Sequence, residues 1–348
     1  MILKKIKPII ACILSCIIGI LLISDSNGNA VTIQRCIYVC LDSLIPSLFC
    51  FMLFSSVLIK SGIGELIAKP LWFIFKHIIK VDSKLFSVFI LSQIGGYPIG
   101  VRLLSELYYE YPQYKKKYNN ALAYCYNSGP AFVVGIVGIG IYNDIYAGLI
   151  VFLSCLAANT LAAVVLNIHS DIVHNGKTVF SLSSDDLSSS LISTAKAMLN
   201  IALPILLFNS VTELINFICT NLLDFQLPAT ILSFIEITNI KSSGTIYSIP
   251  ITTAMISFGG LCVIYQIFTL SAFKVNKMLF FFSRLIIATA ASMISYIIIS
   301  LTGYEPTRNV FAYATDTLIS NPILLLCISG MTFILLKDAG GKNKYKNF

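Results

Sequence analysis

Leu85-Phe86-Ser87-Val88-Phe89-Ile90-Leu91-Ser92-Gln93-Ile94 runs directly into Gly95-Gly96-Tyr97-Pro98, after which the chain resumes as Ile99-Gly100-Val101-Arg102-Leu103-Leu104. A glycine pair followed by proline breaks a helix, because glycine tolerates positive φ and proline lacks an N–H. The flanks are apolar enough for a bilayer, where freed backbone groups find no partner in hydrocarbon. Such a break persists only where it is packed in protein or lines a polar cavity. Asn127-Ser128-Gly129-Pro130 repeats the signal inside Asn120 to Ile141. Two further breaks follow, at Glu236-Ile237-Thr238-Asn239 and at Phe258-Gly259-Gly260. Paired interruptions in two halves of an apolar chain are the pattern of a transporter core built from repeats.

The composition sets the same frame. Of 348 residues, 57% are hydrophobic and 11% charged, with mean hydropathy +0.85, whereas a soluble domain has about 25% charged residues. At about 20 residues per crossing, about eight to ten embedded segments fit. The fold class expected is all-α, a polytopic membrane helix bundle with two repeats containing broken or re-entrant helices. The net charge of +8 comes from lysines at segment ends, as the positive-inside rule requires, so a nucleic-acid partner is not expected. Ten cysteines lie scattered without a CxxC pair and without histidines at ligand spacing, so neither a metal nor a cofactor is expected. Buried thiols acting as small hydrophobes explain them.

The chain divides into five parts. Residues 1–30 hold Lys4, Lys5, Lys7 and the apolar run Ile9 to Ile23, read as an uncleaved first helix with a polar loop around Asp25 to Arg35. Residues 36–168 form the first repeat, with a membrane helix from Cys36 to Ile59, an interfacial helix from Leu66 to Ile79, the two breaks, and an uninterrupted span from Ala147 to Ile168. Full crossing by residues 85–110 would put Lys115-Lys116-Lys117 opposite Lys60, Lys69 and Lys80, so a re-entrant hairpin is expected there. Residues 169–194 read as a polar linker. Residues 195–300 form the second repeat, in which Leu203-Pro204 echoes Ile45-Pro46, and residues 301–348 supply a last helix, Ile319 to Leu336, and a basic tail.

Taken in order, Pro46 to Phe49, Gly95 to Gly100, Asn127 to Phe132 with Gly135, Phe234 to Thr238, and Ser257 to Gly260 with Gln266 resemble the nucleoside-recognition, or Gate, family of membrane proteins, and in particular its sporulation-associated members. The resemblance spans about residues 40 to 300. It implies transport of a small solute, either dipicolinic acid moved into a developing spore or a nucleoside-like molecule, in a bacterial cell membrane such as the outer membrane of the forespore.

The site expected from the residues gathers at the breaks. Half-helix N-termini offer N–H donors and partial positive charge to an anion. Tyr97 would stack on a ring. Arg102 is either a bidentate partner for a carboxylate or an anchor paired with Glu106 at i,i+4. Asn127 and Ser128 would satisfy the freed backbone and orient a ligand. Gly95, Gly96, Pro98, Gly129, Gly259 and Gly260 shape the close approach of the chain. Glu236, an intramembrane carboxylate, would bind a coupling proton or cation or pair with Arg102, with Thr238 and Asn239 completing its polar cluster. Asp42 and Glu213 are weaker candidates of the same kind. Gln266 is an interhelical hydrogen bond or a solute contact. An intramembrane enzyme is disfavoured, since no HExxH, GxSxG or paired catalytic aspartates occur in the embedded segments. A non-transporting assembly protein of the spore envelope is the remaining alternative.

Overall fold

A computed structural model describes Gly19 and residues 26–41, 45–168, 183–222, 224–225, 228–240 and 247–304. The expected helices Ile9 to Ile23 and Ile319 to Leu336, Asp42, the basic tail and most of the polar linker lie outside them. The regular structure of the described residues is all helical, with no strand among them. In chain order the helices are α1 (Ser26–Val39), α2 (Ile45–Lys60), α3 (Ile63–Ile79), α4 (Ser83–Gly95), α5 (Tyr97–Glu110), α6 (Lys115–Tyr124), a π-helix (Ala131–Tyr142), α7 (Ile145–Asn167), α8 (Ser184–Leu222), α9 (Ala229–Ile235), α10 (Ile249–Phe258), α11 (Gly260–Leu270) and α12 (Lys277–Thr302). Among the described residues, four stretches are long and apolar enough to cross a membrane: α7, α8, α10 with α11, and α12. Together with the broad apolar surface these define a multi-pass helical membrane protein.

The α10–α11 stretch is central. Of its most apolar window 72% is buried, against 22% for α12 and 33% for α7 and α8, so the other spans surround it and face lipid. Both α10 and α7 pack on α12, while α11 packs on α5 and α8.

The α4–α5 pair is a hairpin. Lys84, at the start of α4, bonds Glu110, at the end of α5, at 2.8 Å and also donates to Tyr111 Oη at 3.2 Å. Both arms therefore return to one level, and the Gly95-Gly96 tip reaches into the protein. Asp82 starts the hairpin by accepting from Leu85 N–H at 2.9 Å. α3 turns 82° away from α2 and leaves Leu66, Ile67, Phe73 and Ile74 exposed, with Lys76 lying over the Phe73 and Trp72 rings, the amphipathic arrangement expected of an interfacial helix.

Three boundaries differ from the sequence reading. Of the polar loop expected at Asp25 to Arg35, the part from Ser26 onward is instead the helix α1, which packs along α8, buries Asn29 and Cys36, and holds Glu213 through Thr32 Oγ1 at 3.2 Å. The single helix expected from Cys36 to Ile59 is divided between two elements, α1 ending at Val39 and α2 starting at Ile45. The polar linker ends early, because α8 starts at Ser184. Ser183 and Asp186 form a reciprocal cap in which Ser183 N–H donates to Asp186 Oδ2 at 3.0 Å and Asp186 N–H donates to Ser183 Oγ at 3.1 Å. This is a capping box, and the serine run that follows is its helical first turns.

A candidate solute site at four backbone breaks

Each break has a local cause. Gly96 takes φ 96, and Pro98 in the first turn of α5 needs no intrahelical donor. After α6 the chain leaves helix at Cys125 and re-enters at Pro130 as a π-helix, a winding rare outside functional segments. Glu236 ends α9 in an extended conformation. Gly259 and Gly260 take φ 85 and 80 in succession, separating α10 from α11 without a sharp bend.

The four breaks meet. A Cβ on Gly129 would lie 3.2 Å from Ile94 O and 3.4 Å from Gly96 N, and one on Gly260 would lie 3.2 Å from Phe234 O and 3.4 Å from Ile237 N. The glycines at these points let two main chains touch. Tyrosines then join the halves: Tyr97 Oη donates to Ile256 O, and Tyr126 Oη donates to Phe258 O at 2.8 Å. The Tyr97 and Tyr126 rings pack 4.8 Å apart, and Phe234 stacks on Phe258 at 4.7 Å.

A cavity of about 290 Å³ opens among them, at the small end of the ligand-pocket range of roughly 300–1,000 Å³. Gly95 to Pro98, Ser128 to Phe132, Glu236 to Thr238 and Gln266 line it, with Phe51 of α2 and Ile201 and Ile205 of α8 forming an apolar wall. Glu236 is the one charged side chain of this lining. It is 1% exposed; Oε1 accepts from Thr238 N–H at 3.2 Å and Thr238 Oγ1 at 3.0 Å, and Oε2 has no hydrogen-bond donor at normal geometry. Gln266 Nε2 spans to Ile201 O at 3.3 Å, so Gln266 both ties α11 to α8 and faces the cavity.

Of the residues expected to shape the site at the breaks, nine therefore stand at the cavity and five do not, and the weaker candidate Glu213 lies away from it against Thr32. Asn127 and Asn239 lie beside it and outside its lining; Asn127 is buried with Nδ2 lacking an acceptor. Gly259 and Gly260 stand behind the wall, where they make room for Tyr126 and for the turn after α9. Arg102 is not a lining residue at all. Its guanidinium donates to Met52 O at 3.1 Å, Ser190 O at 3.3 Å and Ser193 Oγ at 2.9 Å, and Nε lies 3.7 Å from Glu106. Arg102 thus ties α5 to α2 and α8, and its carboxylate partner is Glu106 rather than Glu236. The reason is helical geometry: four residues beyond Pro98, the side chain leaves the tip of the hairpin and faces α2 and α8.

The residue that sequence reading missed is Arg284, fully buried on α12. Nη1 donates to Ala123 O at 2.8 Å and Asn159 Oδ1 at 2.9 Å, while Nη2 donates to Ser257 O and to Ser257 Oγ at 3.1 Å. The guanidinium lies 4.4 Å from the Tyr126 ring centroid. Among the described residues no carboxylate lies within 4 Å of it. An arginine two turns inside an apolar span is costly and marks a functional or organising position; that signal was present in Phe280 to Leu301. Among the described residues no group of three or more His, Cys, Asp or Glu is placed to hold a metal ion.

The fold and site define the class, a multi-pass helical membrane protein whose interrupted helices surround a buried cavity. No protein-family model, no curated protein and no solved structure matches this chain.

Proposed function

We propose that this chain is a membrane carrier for a small, largely planar solute, which binds in the cavity at the four breaks, and that it performs no chemical step on it. The meeting of three interruptions at one cavity, with the fourth packed behind its wall, carries this reading, because backbone breaks in a membrane protein are stable where they line a hydrated or ligand-filled space or pack in protein. The solute class follows from the lining. The ring of Tyr97 and the wall of Phe51, Ile201 and Ile205 suit a flat apolar body, while Ser128, Thr238, Gln266 and Glu236 offer hydrogen bonds.

A nucleoside-like solute, neutral and rich in hydrogen-bond donors, fits a lining whose one charged side chain is the Glu236 carboxylate. Dipicolinate is the second reading, supported by the N-terminal ends of α5 and the π-helix in the cavity wall, each equivalent to roughly half a positive charge. With Arg102 engaged elsewhere, a dianion would face the Glu236 carboxylate, and two like charges about 4 Å apart repel by about 4 kcal/mol at an effective dielectric near 20. Dipicolinate would therefore travel with a proton on Glu236. The bacterial cell membrane of a spore former is the location that the family resemblance implies.

Uptake of labelled uridine and of labelled dipicolinate into proteoliposomes tests this. Uridine uptake is expected, with Glu236→Gln lowering it about tenfold through loss of one charged hydrogen bond. Dipicolinate uptake that rises on acidification, and loses that pH dependence in Glu236→Gln, would instead select the second reading. Neither solute moving, across the pH range, would remove the carrier assignment for both.

A further inference from the structure

Two of the four breaks, the second and the fourth, are held from behind by one cation. Arg284 bonds Ala123 O near the end of α6 and Ser257 O near the end of α10, so one guanidinium satisfies C-terminal carbonyls of two interrupted helices, one preceding the second break and one preceding the fourth. The C-terminus of a helix carries partial negative charge and unpaired carbonyls, which explains how a buried arginine stands without a carboxylate among the described residues. A third helix end joins through side chains: Asn159 Nδ2 donates to Gln93 Oε1 at 3.2 Å, and Gln93 Nε2 donates to Tyr124 O at 2.9 Å. Gln93 is two residues before Gly95 at the hairpin tip.

A second set of contacts converges on the same point. Tyr126 covers Arg284 with its ring and donates to Phe258 O, and Gly259 lacks the Cβ that would collide with the Tyr126 hydroxyl. Arg284, Tyr126 and Ser257 therefore form one block to which the chain entering each of the two breaks is attached. Ala123 and Ser257 are 134 residues apart by their numbers, and nothing in the local sequence of either break would make them move together.

We propose that Arg284 is the positioning residue that couples the second and fourth breaks, so that they open and close as one unit. This rests on reading the breaks as the moving parts of a carrier, yet it concerns main-chain opening and is measurable without any solute. The planar fork matters, since it reaches Ala123 and Ser257 simultaneously; a lysine keeps the charge and cannot hold both.

Hydrogen exchange followed by mass spectrometry on the full chain in lipid nanodiscs is the test. Arg284→Lys is expected to speed exchange in residues 123–132 and 256–262 together, roughly tenfold or more and by similar factors, while α1 and the facing part of α8 keep wild-type rates. Should that variant fail to fold, Asn159→Ala, which removes a single partner of Nη1, is expected to show the same paired acceleration at smaller size. Acceleration in one break alone, equal acceleration throughout the chain, or wild-type exchange in Arg284→Lys would overturn the coupling. A chain that moves no solute but shows the paired response would retain the coupling and lose the carrier reading.

Discussion

Among single residues, the glycines at the breaks have unequal duties. Gly259 combines φ 85 with a Cβ direction that runs into the Tyr126 hydroxyl. Gly135 has open space around it and no positive φ. Gly259→Ala must adopt a left-handed conformation, at about 1–2 kcal/mol, and also displaces Tyr126 from Phe258 O and from Arg284. We expect Gly259→Ala to lower the melting temperature in detergent by several degrees and Gly135→Ala to leave it unchanged or slightly raised, since alanine is the better helix former. Equal behaviour of the two would refute the assigned role of Gly259. That glycine and proline would break the helices was legible in the sequence, because both act through local φ and a missing N–H. Which glycine lies against a tyrosine 133 positions earlier was not.

Among the elements, the α4–α5 hairpin is set by its ends. Asp82 caps α4 through Leu85 N–H, and burial is the main influence on its carboxyl, pushing it above the ordinary aspartate range against the opposing Leu85 bond and Lys117 charge, with Glu65 adding to the rise. A raised carboxyl binds its proton more tightly in the folded state, so stability falls as pH rises from the usual aspartate value through the raised one, then stays level. An asparagine side chain in the same place would cap equally well without the charge. Asp82→Asn is therefore expected to raise the melting temperature at about pH 7, with the gain shrinking toward zero near the ordinary aspartate value of about 4; a gain that grows on acidification would contradict this. The α8 boundary shows the limit of compositional reading for a whole element. Asp185, Asp186 and the serines look like a linker by composition, while the Ser183 to Asp186 spacing encodes a helix start.

For the molecule as a unit, binding and folding are linked. A solute that occupies the cavity only in the folded state stabilises it by about 2.7 kcal/mol at about 100 times its dissociation constant. We expect uridine to raise the melting temperature of the protein in nanodiscs with a logarithmic dependence on concentration, and Glu236→Gln to require more solute for the same shift. A melting temperature indifferent to solute would favour breaks that are fixed packing features. Local signals along the chain were enough to establish that it is helical, that it lives in a membrane, and where the four glycine, proline and polar breaks fall, because hydropathy and the φ preferences of glycine and proline act over a few residues. Long-range packing alone brought three interruptions to one cavity and the fourth behind its wall, turned Glu236 toward it, and directed Arg102 and Arg284 elsewhere, one to Glu106 and one to the ends of α6 and α10. Those facts depend on segments more than a hundred residues apart closing on each other, and on the direction in which each helix face is turned when they do.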